Sequence, residues 1–152
     1  MHSIHFYDSA QPGNVPSGVY AAVYINGFAW SQAEIDRMGH VFAISVRPES
    51  GYARYARCLD VETGAASPDD VVPFLREREA HGHHDGTIYV NRSNWDQCRQ
   101  GAESAGFHPY WWVATLDGTM LVADEWATQY YGGGDKPYDL SVLHGINNFR
   151  RP

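Results

Sequence analysis

The chain has 152 residues, 43% hydrophobic and 14% aromatic, enough for one domain with a substantial core. Its 18 acidic and 11 basic residues give a net charge of -7, and no basic run exceeds Arg150 and Arg151, so nucleic acid and anionic membranes are poor partners. No apolar stretch approaches the about 18 residues of a membrane span, and MHSIHFYDS lacks the charged-then-apolar pattern of a secretion signal.

Residues 4–10 (IHFYDSA) read as an apolar first strand bearing Asp8, followed by a proline-containing loop. Residues 19–26 (VYAAVYIN) form a second strand, with Tyr24 near its end. Ser31 and Glu34 make a capping box for a short first helix that stops before Gly39. Residues 41–46 and 56–62 are the third and fourth strands. Ser67 and Pro68 with Asp69 and Asp70 open a second helix over 69–81. Residues 87–91 (TIYVN) are the fifth strand, ending in Asn91, and Ser93 is expected to cap a third helix over 94–105. Residues 110–115 (YWWVAT), 126–131 (WATQYY) and 138–143 (YDLSVL) complete eight strands. Cys58 and Cys98 read as buried free thiols, because two cysteines make no disulfide scaffold.

Strands alternating with helices predict an α/β chain with a parallel sheet, and eight of them predict a closed, irregular (β/α) barrel with few helices. The segment GGGDKP (132–137) is all that separates the last two strands, whereas a parallel return needs about a dozen residues or more. The last strand is therefore antiparallel, and Asp139 at its start falls at the same end as the carboxyl ends of the parallel strands. In the fourth strand, Asp60 and Glu62 lie two residues apart on one face, roughly 6 to 7 Å along the chain, with Cys58 beside them and Leu59 and Val61 turned away. Asp8, Asp60, Glu62 and Asp139 thus converge on the rim where barrels place their chemistry. Neighbouring acids separate their ionisations, so one of the pair is expected to be protonated and the other ionised.

In order, YDSAQP, LDVETG, WWVATL, ATQYYGG and YDLSVLHG resemble glycoside hydrolase family 25, the lysozyme-like muramidases, and compact hydrolase-like domains of actinobacterial and phage type. The resemblance implies a TIM-like barrel of eight strands with an antiparallel last strand. It also implies cleavage of the β-1,4 bond between N-acetylmuramic acid and N-acetylglucosamine in peptidoglycan, without a cofactor. Carried over by motif, Glu62 is the general acid, Asp60 supports attack by the substrate's acetamido group, and Asp8 and Asp139 complete an acidic floor. In this mechanism Glu62, when it is the more desolvated of the pair, keeps its proton near neutral pH and donates it to the leaving oxygen, while Asp60 stays anionic. Trp112 and Tyr130 are expected to line the sugar groove, with Tyr24, Gln129 and Asn91 as further substrate contacts. Three departures stand out: groove-building loops are short, Leu116 occupies a position where the family has an aromatic ring, and the last strand reads D-L-S where the family often has D-x-N.

A different reading makes the chain a non-catalytic glycan-binding or structural module of a phage particle or cell-surface assembly. The four acids argue against it, since buried carboxylates are costly without partners. A protein of either kind is expected in the cytoplasm until released, or on a phage particle. The run HGHHDG (81–86) and GGGDKP read as a helix end and a hairpin turn, not as metal or phosphate sites. Oligomeric state is not legible.

Overall fold

In the computed structural model the described residues are 3–119, 125–145 and 149–152. Eight strands close into a barrel in sequence order: β1 (His5–Asp8), β2 (Tyr20–Tyr24), β3 (His40–Ser45), β4 (Cys58–Val61), β5 (Thr87–Asn91), β6 (Tyr110–Ala114), β7 (Ala127–Tyr131) and β8 (Asp139–Leu143). Neighbouring strands are parallel except at β8, which runs antiparallel to both β7 and β1. The expected barrel and its reversed last strand are both present. A register shift between Gln129 and Tyr131 lets the short β7–β8 connection turn back. Asp139 then pairs with Asp8, which places both acids at the carboxyl ends of the parallel strands.

Side-chain alternation sorts the core into two layers. Inside the barrel, Phe6 meets Phe42, Trp112, Trp126 and Phe149 with ring centroids 5.8, 5.1, 6.0 and 5.1 Å away. Cys58 and Tyr89 belong to this interior cluster. Outside it, Leu59, Val61, Ile88, Val90 and Val113 pack with Phe74, Leu75, Trp95 and Cys98. The latter come from helices α3 (Val71–Ala80) and α4 (Arg92–Ser104), which cover the β4–β6 side. Both cysteines are free and buried.

The capping box forms as read: Ser31 Oγ accepts from Glu34 N, and Glu34 Oε1 accepts from Ser31 N, opening α1 (Gln32–Asp36). Other boundaries differ from the expectations. A short helix, α2 (Ser50–Ala53), has no strong start signal in the sequence and was not anticipated. The second predicted helix begins with a separate 3-10 turn over Pro68–Asp70. Asn91, not Ser93, caps α4: its Oδ1 accepts from Asn94 N at 2.9 Å and from Ser93 Oγ at 2.8 Å. Because β5 runs into α4 without a spacer, the last strand residue serves as the cap.

Replacing Phe6 by Ala removes the ring at the centre of the interior cluster and should cost about 3–5 kcal/mol, whereas Ser31→Ala should cost about 1 kcal/mol. Urea denaturation of the two variants beside the parent chain measures both, and equal losses would contradict this ranking.

Candidate active site

The acidic rim is built from residues of six strands. Asp8 is the last residue of β1, Asp60 the penultimate residue of β4, and Glu62 follows the end of β4. Asp139 opens β8, Tyr24 ends β2, and Tyr89 and Gln129 lie in β5 and β7. Beyond Glu62 the backbone turns back, with Ala66 N donating to Asp60 O at 3.0 Å and Gly64 adopting φ +88°. That turn holds Glu62 at the lip instead of letting the strand carry it onward.

Gln129 organises two of the four acids. It is 1% exposed, and its Nε2 donates to Asp8 Oδ1 at 3.0 Å, Asp8 Oδ2 at 3.2 Å and Asp139 Oδ2 at 3.5 Å. Its Oε1 accepts from the Tyr89 hydroxyl at 2.7 Å, so the amide is fixed from both sides. Tyr24 donates its hydroxyl to Asp60 Oδ2 at 3.0 Å. The other oxygen, Asp60 Oδ1, is buried and meets no donor among the described residues.

Burial decides the protonation of these groups. Asp60 is 1% exposed, and desolvation, followed by the charge of Glu62, pushes its carboxyl up to about 8 against the opposing bond from Tyr24. Desolvation also holds Asp8 well above the ordinary range; the charge of Asp139 adds to this and Gln129 opposes it. Asp139 is raised by the same burial, against a backbone hydrogen bond from Gly133. The Tyr24 and Tyr89 hydroxyls are raised chiefly by burial, which keeps them as donors.

Glu62 is exposed while Asp60 is buried. The condition that Glu62 be the more desolvated partner is therefore not met, because the barrel wall ends at Val61. Tyr24 and Gln129 lie in the floor of the site as described above. Trp112 is 1% exposed and fills the barrel interior, donating its indole N–H to Ser141 Oγ at 3.0 Å and meeting the Tyr89 ring at 4.6 Å. It therefore supports the floor from below and does not line a groove. Tyr130 is placed beside His5, with its hydroxyl 3.0 Å from His5 Nδ1 and the two rings edge to face. Side-chain alternation turns it away from Gln129, so it lies on the outer wall instead of in the groove. Asn91 reaches the rim with its side-chain oxygen engaged as the α4 cap.

Sequence reading missed Tyr89 and Phe28. Tyr89 shares a face with Asn91 and pairs in register with Asp60, a relation that strand parity alone does not reveal. Phe28 is 54% exposed and meets the Tyr24 ring edge to face at 5.8 Å, which puts an aromatic surface at the lip above Asp60. Leu116, also exposed, has φ +57° and leans over Gly132, where a Cβ would come within 2.9 Å of the leucine and 2.8 Å of Asp139 Oδ1. Glycine at 132 thus leaves room for the Asp139 carboxylate.

No family model and no curated protein matches the chain. Solved structures do. An uncharacterized protein of B. stearothermophilus superposes with a TM-score of 0.63 at 15% identity, covering 93% of this chain and 96% of that one. A family GH25 lysozyme from Aspergillus fumigatus gives 0.57 at 11% identity, covering 96% of each chain. The chain shares the fold of the family 25 lysozymes. A muramidase from Acremonium alcalophilum, at 0.56 and 13% identity over 95% of each chain, has the same barrel.

The raised carboxyls set the sign of the pH dependence of stability. A carboxyl whose folded pKa lies above its unfolded value binds more protons in the folded state, so its contribution is complete below the unfolded pKa and is lost as pH rises through the folded one. For Asp60 this window runs from its ordinary value of 3.8 to about 8. Thermal midpoints should fall as pH is raised from about 5 to 8, by up to about 1.4 kcal/mol of stability per pH unit for each titrating carboxyl. Asp60→Asn should flatten that slope; an unchanged slope in calorimetry would remove Asp60 as its source.

Proposed function

We propose that this chain is a muramidase, cleaving the β-1,4 bond between N-acetylmuramic acid and N-acetylglucosamine in peptidoglycan. The observation that carries the reading is the unequal pair at the barrel mouth: Asp60 buried beneath an exposed Glu62, whose charge adds to the burial that raises the Asp60 carboxyl. The fold shared with family 25 lysozymes supports the same reading.

Near neutral pH the raised Asp60 carboxyl keeps a proton for the pair. That proton reaches the glycosidic oxygen through Glu62, at the lip, as the sugar–oxygen bond breaks. Asp60 is then the anion, stabilised by the Tyr24 hydroxyl, and is available to orient the acetamido group or to balance positive charge developing at the anomeric carbon. Burial of Asp60 keeps the unit from losing its proton at neutral pH, while the exposure of Glu62 puts that proton within reach of a bound glycan. Asp8 and Asp139, tied together through Gln129, form the polar floor beneath the scissile bond. Phe28 offers an apolar face on which a sugar ring can stack.

Glu62→Gln should lower release of reducing ends from purified peptidoglycan by about 100-fold to 10,000-fold, with the thermal midpoint unchanged. Wild-type rates in that variant would remove Glu62 as the acid. Glycan binding by the parent chain without any reducing-end release would favour a non-catalytic module. Tyr24→Phe takes away a donor to a charged group, typically worth about 1.5–3 kcal/mol, and should reduce kcat by about tenfold or more. Steady-state kinetics across pH checks this, since a purely structural role would not change the acid limb of the profile.

A further inference from the structure

At the pole opposite the acids, Arg57 immediately precedes β4 and is 6% exposed. Its guanidinium carbon lies 4.8 Å from the Trp126 ring centroid and 5.7 Å from those of Phe42 and Tyr110. Arg57 Nε donates to the Asp85 backbone carbonyl at 3.4 Å, but Nη1 and Nη2 are buried and meet no acceptor among the described residues. The nearby carboxylate, Asp85, is ion-paired with Arg78, whose Nη1 also donates to Ala53 O at 3.1 Å. Arg57 lines a cavity of about 230 Å³ together with Arg54, Arg78, Arg150, His83 and Asp85. Four guanidinium groups therefore share the lining with a single carboxylate, in a chain whose net charge is -7.

A buried guanidinium with two unbonded nitrogens is expensive, and its planar fork matches a pair of oxygens on one acid group. The rings hold the flat faces of Arg57, which leaves its edge N–H groups for a ligand. The cavity far exceeds the roughly 15 Å³ that one water requires, so it has space for an acid group with its own solvent.

We propose that this cavity is an oxyanion-binding site, in which a carboxylate or phosphate group is clasped by the fork of Arg57 and further neutralised by Arg54 and Arg150. The site is separate from the acidic rim and does not depend on the hydrolase reading. Arg57, just before β4, and Asp60, within it, are three positions apart, on the order of 10 Å along the extended chain, so the acids and the arginines occupy opposite ends of the barrel.

Isothermal titration of the whole chain with sodium phosphate, and separately with sodium acetate, at constant ionic strength in chloride tests the proposal. Saturable binding of one equivalent is expected, with a millimolar or tighter Kd. Tighter phosphate binding points to a phosphate ester as the natural source, and tighter acetate binding to a carboxylate. Arg57→Met should weaken binding at least about tenfold, or about 1.4 kcal/mol, and Arg57→Lys should restore part of it. Should the Arg57 variants fail to fold, Arg54→Gln combined with Arg150→Gln, both at exposed positions, should weaken binding several-fold with an unchanged thermal midpoint. Glu62→Gln should bind the anion as the parent does, whatever its effect on glycan cleavage. Absence of saturable heat with both anions, or equal affinity in parent and charge-removed variants, would overturn the site.

Discussion

The burial of carboxyl groups in the mouth of a closed barrel is the constraint on which the other features depend. Moving a carboxylate out of water is costly, and this chain meets the cost in two ways. Burial raises the Asp8, Asp60 and Asp139 carboxyls, so they ionise less readily. The same three also receive neutral donors: one amide, Gln129, for Asp8 and Asp139, and one phenol, Tyr24, for Asp60. The rest of the interior follows from this. Tyr89 orients Gln129, Trp112 packs against Tyr89, and Ser141 receives the indole N–H of Trp112, so the polar floor rests on the aromatic core through a continuous set of contacts.

Much of this arrangement was legible in the sequence because it depends on parity and length. The D-x-E spacing put Asp60 and Glu62 on one face with Cys58, and the interior and exterior clusters divide as that spacing requires. The brevity of GGGDKP demanded a reversed last strand, which carried Asp139 to the end where Asp8 lies. What the sequence did not disclose depends on depth. Parity places Trp112 inside the barrel but does not say how far below the rim, and it lies too deep to meet a ligand. Tyr130 was assigned by its motif, yet it follows Gln129 directly and so faces the other side of the strand. The role of Asn91 as a cap required knowing that β5 and α4 are contiguous.

The relation between Asp60 and Glu62 shows why local chemistry needs the barrel around it. Two carboxyls at i and i+2 are equivalent by residue type, and a flat strand would expose both alike. Here pairing to β5 ends at Val61, opposite Val90. One residue of strand length separates a buried acid from an exposed one. The order of desolvation is thus set by where a hydrogen-bonded ladder stops, which no feature of LDVETG announces.

The fixed amide of Gln129 has a wider implication for the electrical character of the mouth. Among the described residues no lysine or arginine forms an ion pair with Asp8, Asp60 or Asp139; the bonds that oppose their upward shifts come from an amide, a phenol and a backbone N–H. Such dipoles carry no net charge, so they quiet each acid at short range while leaving its field intact farther out. A carbocation-like species drawn into this bowl would find no fixed countercharge already claiming the anions. An anionic visitor would be repelled just as consistently, and the bowl would sort arrivals by polarity before any shape was tested.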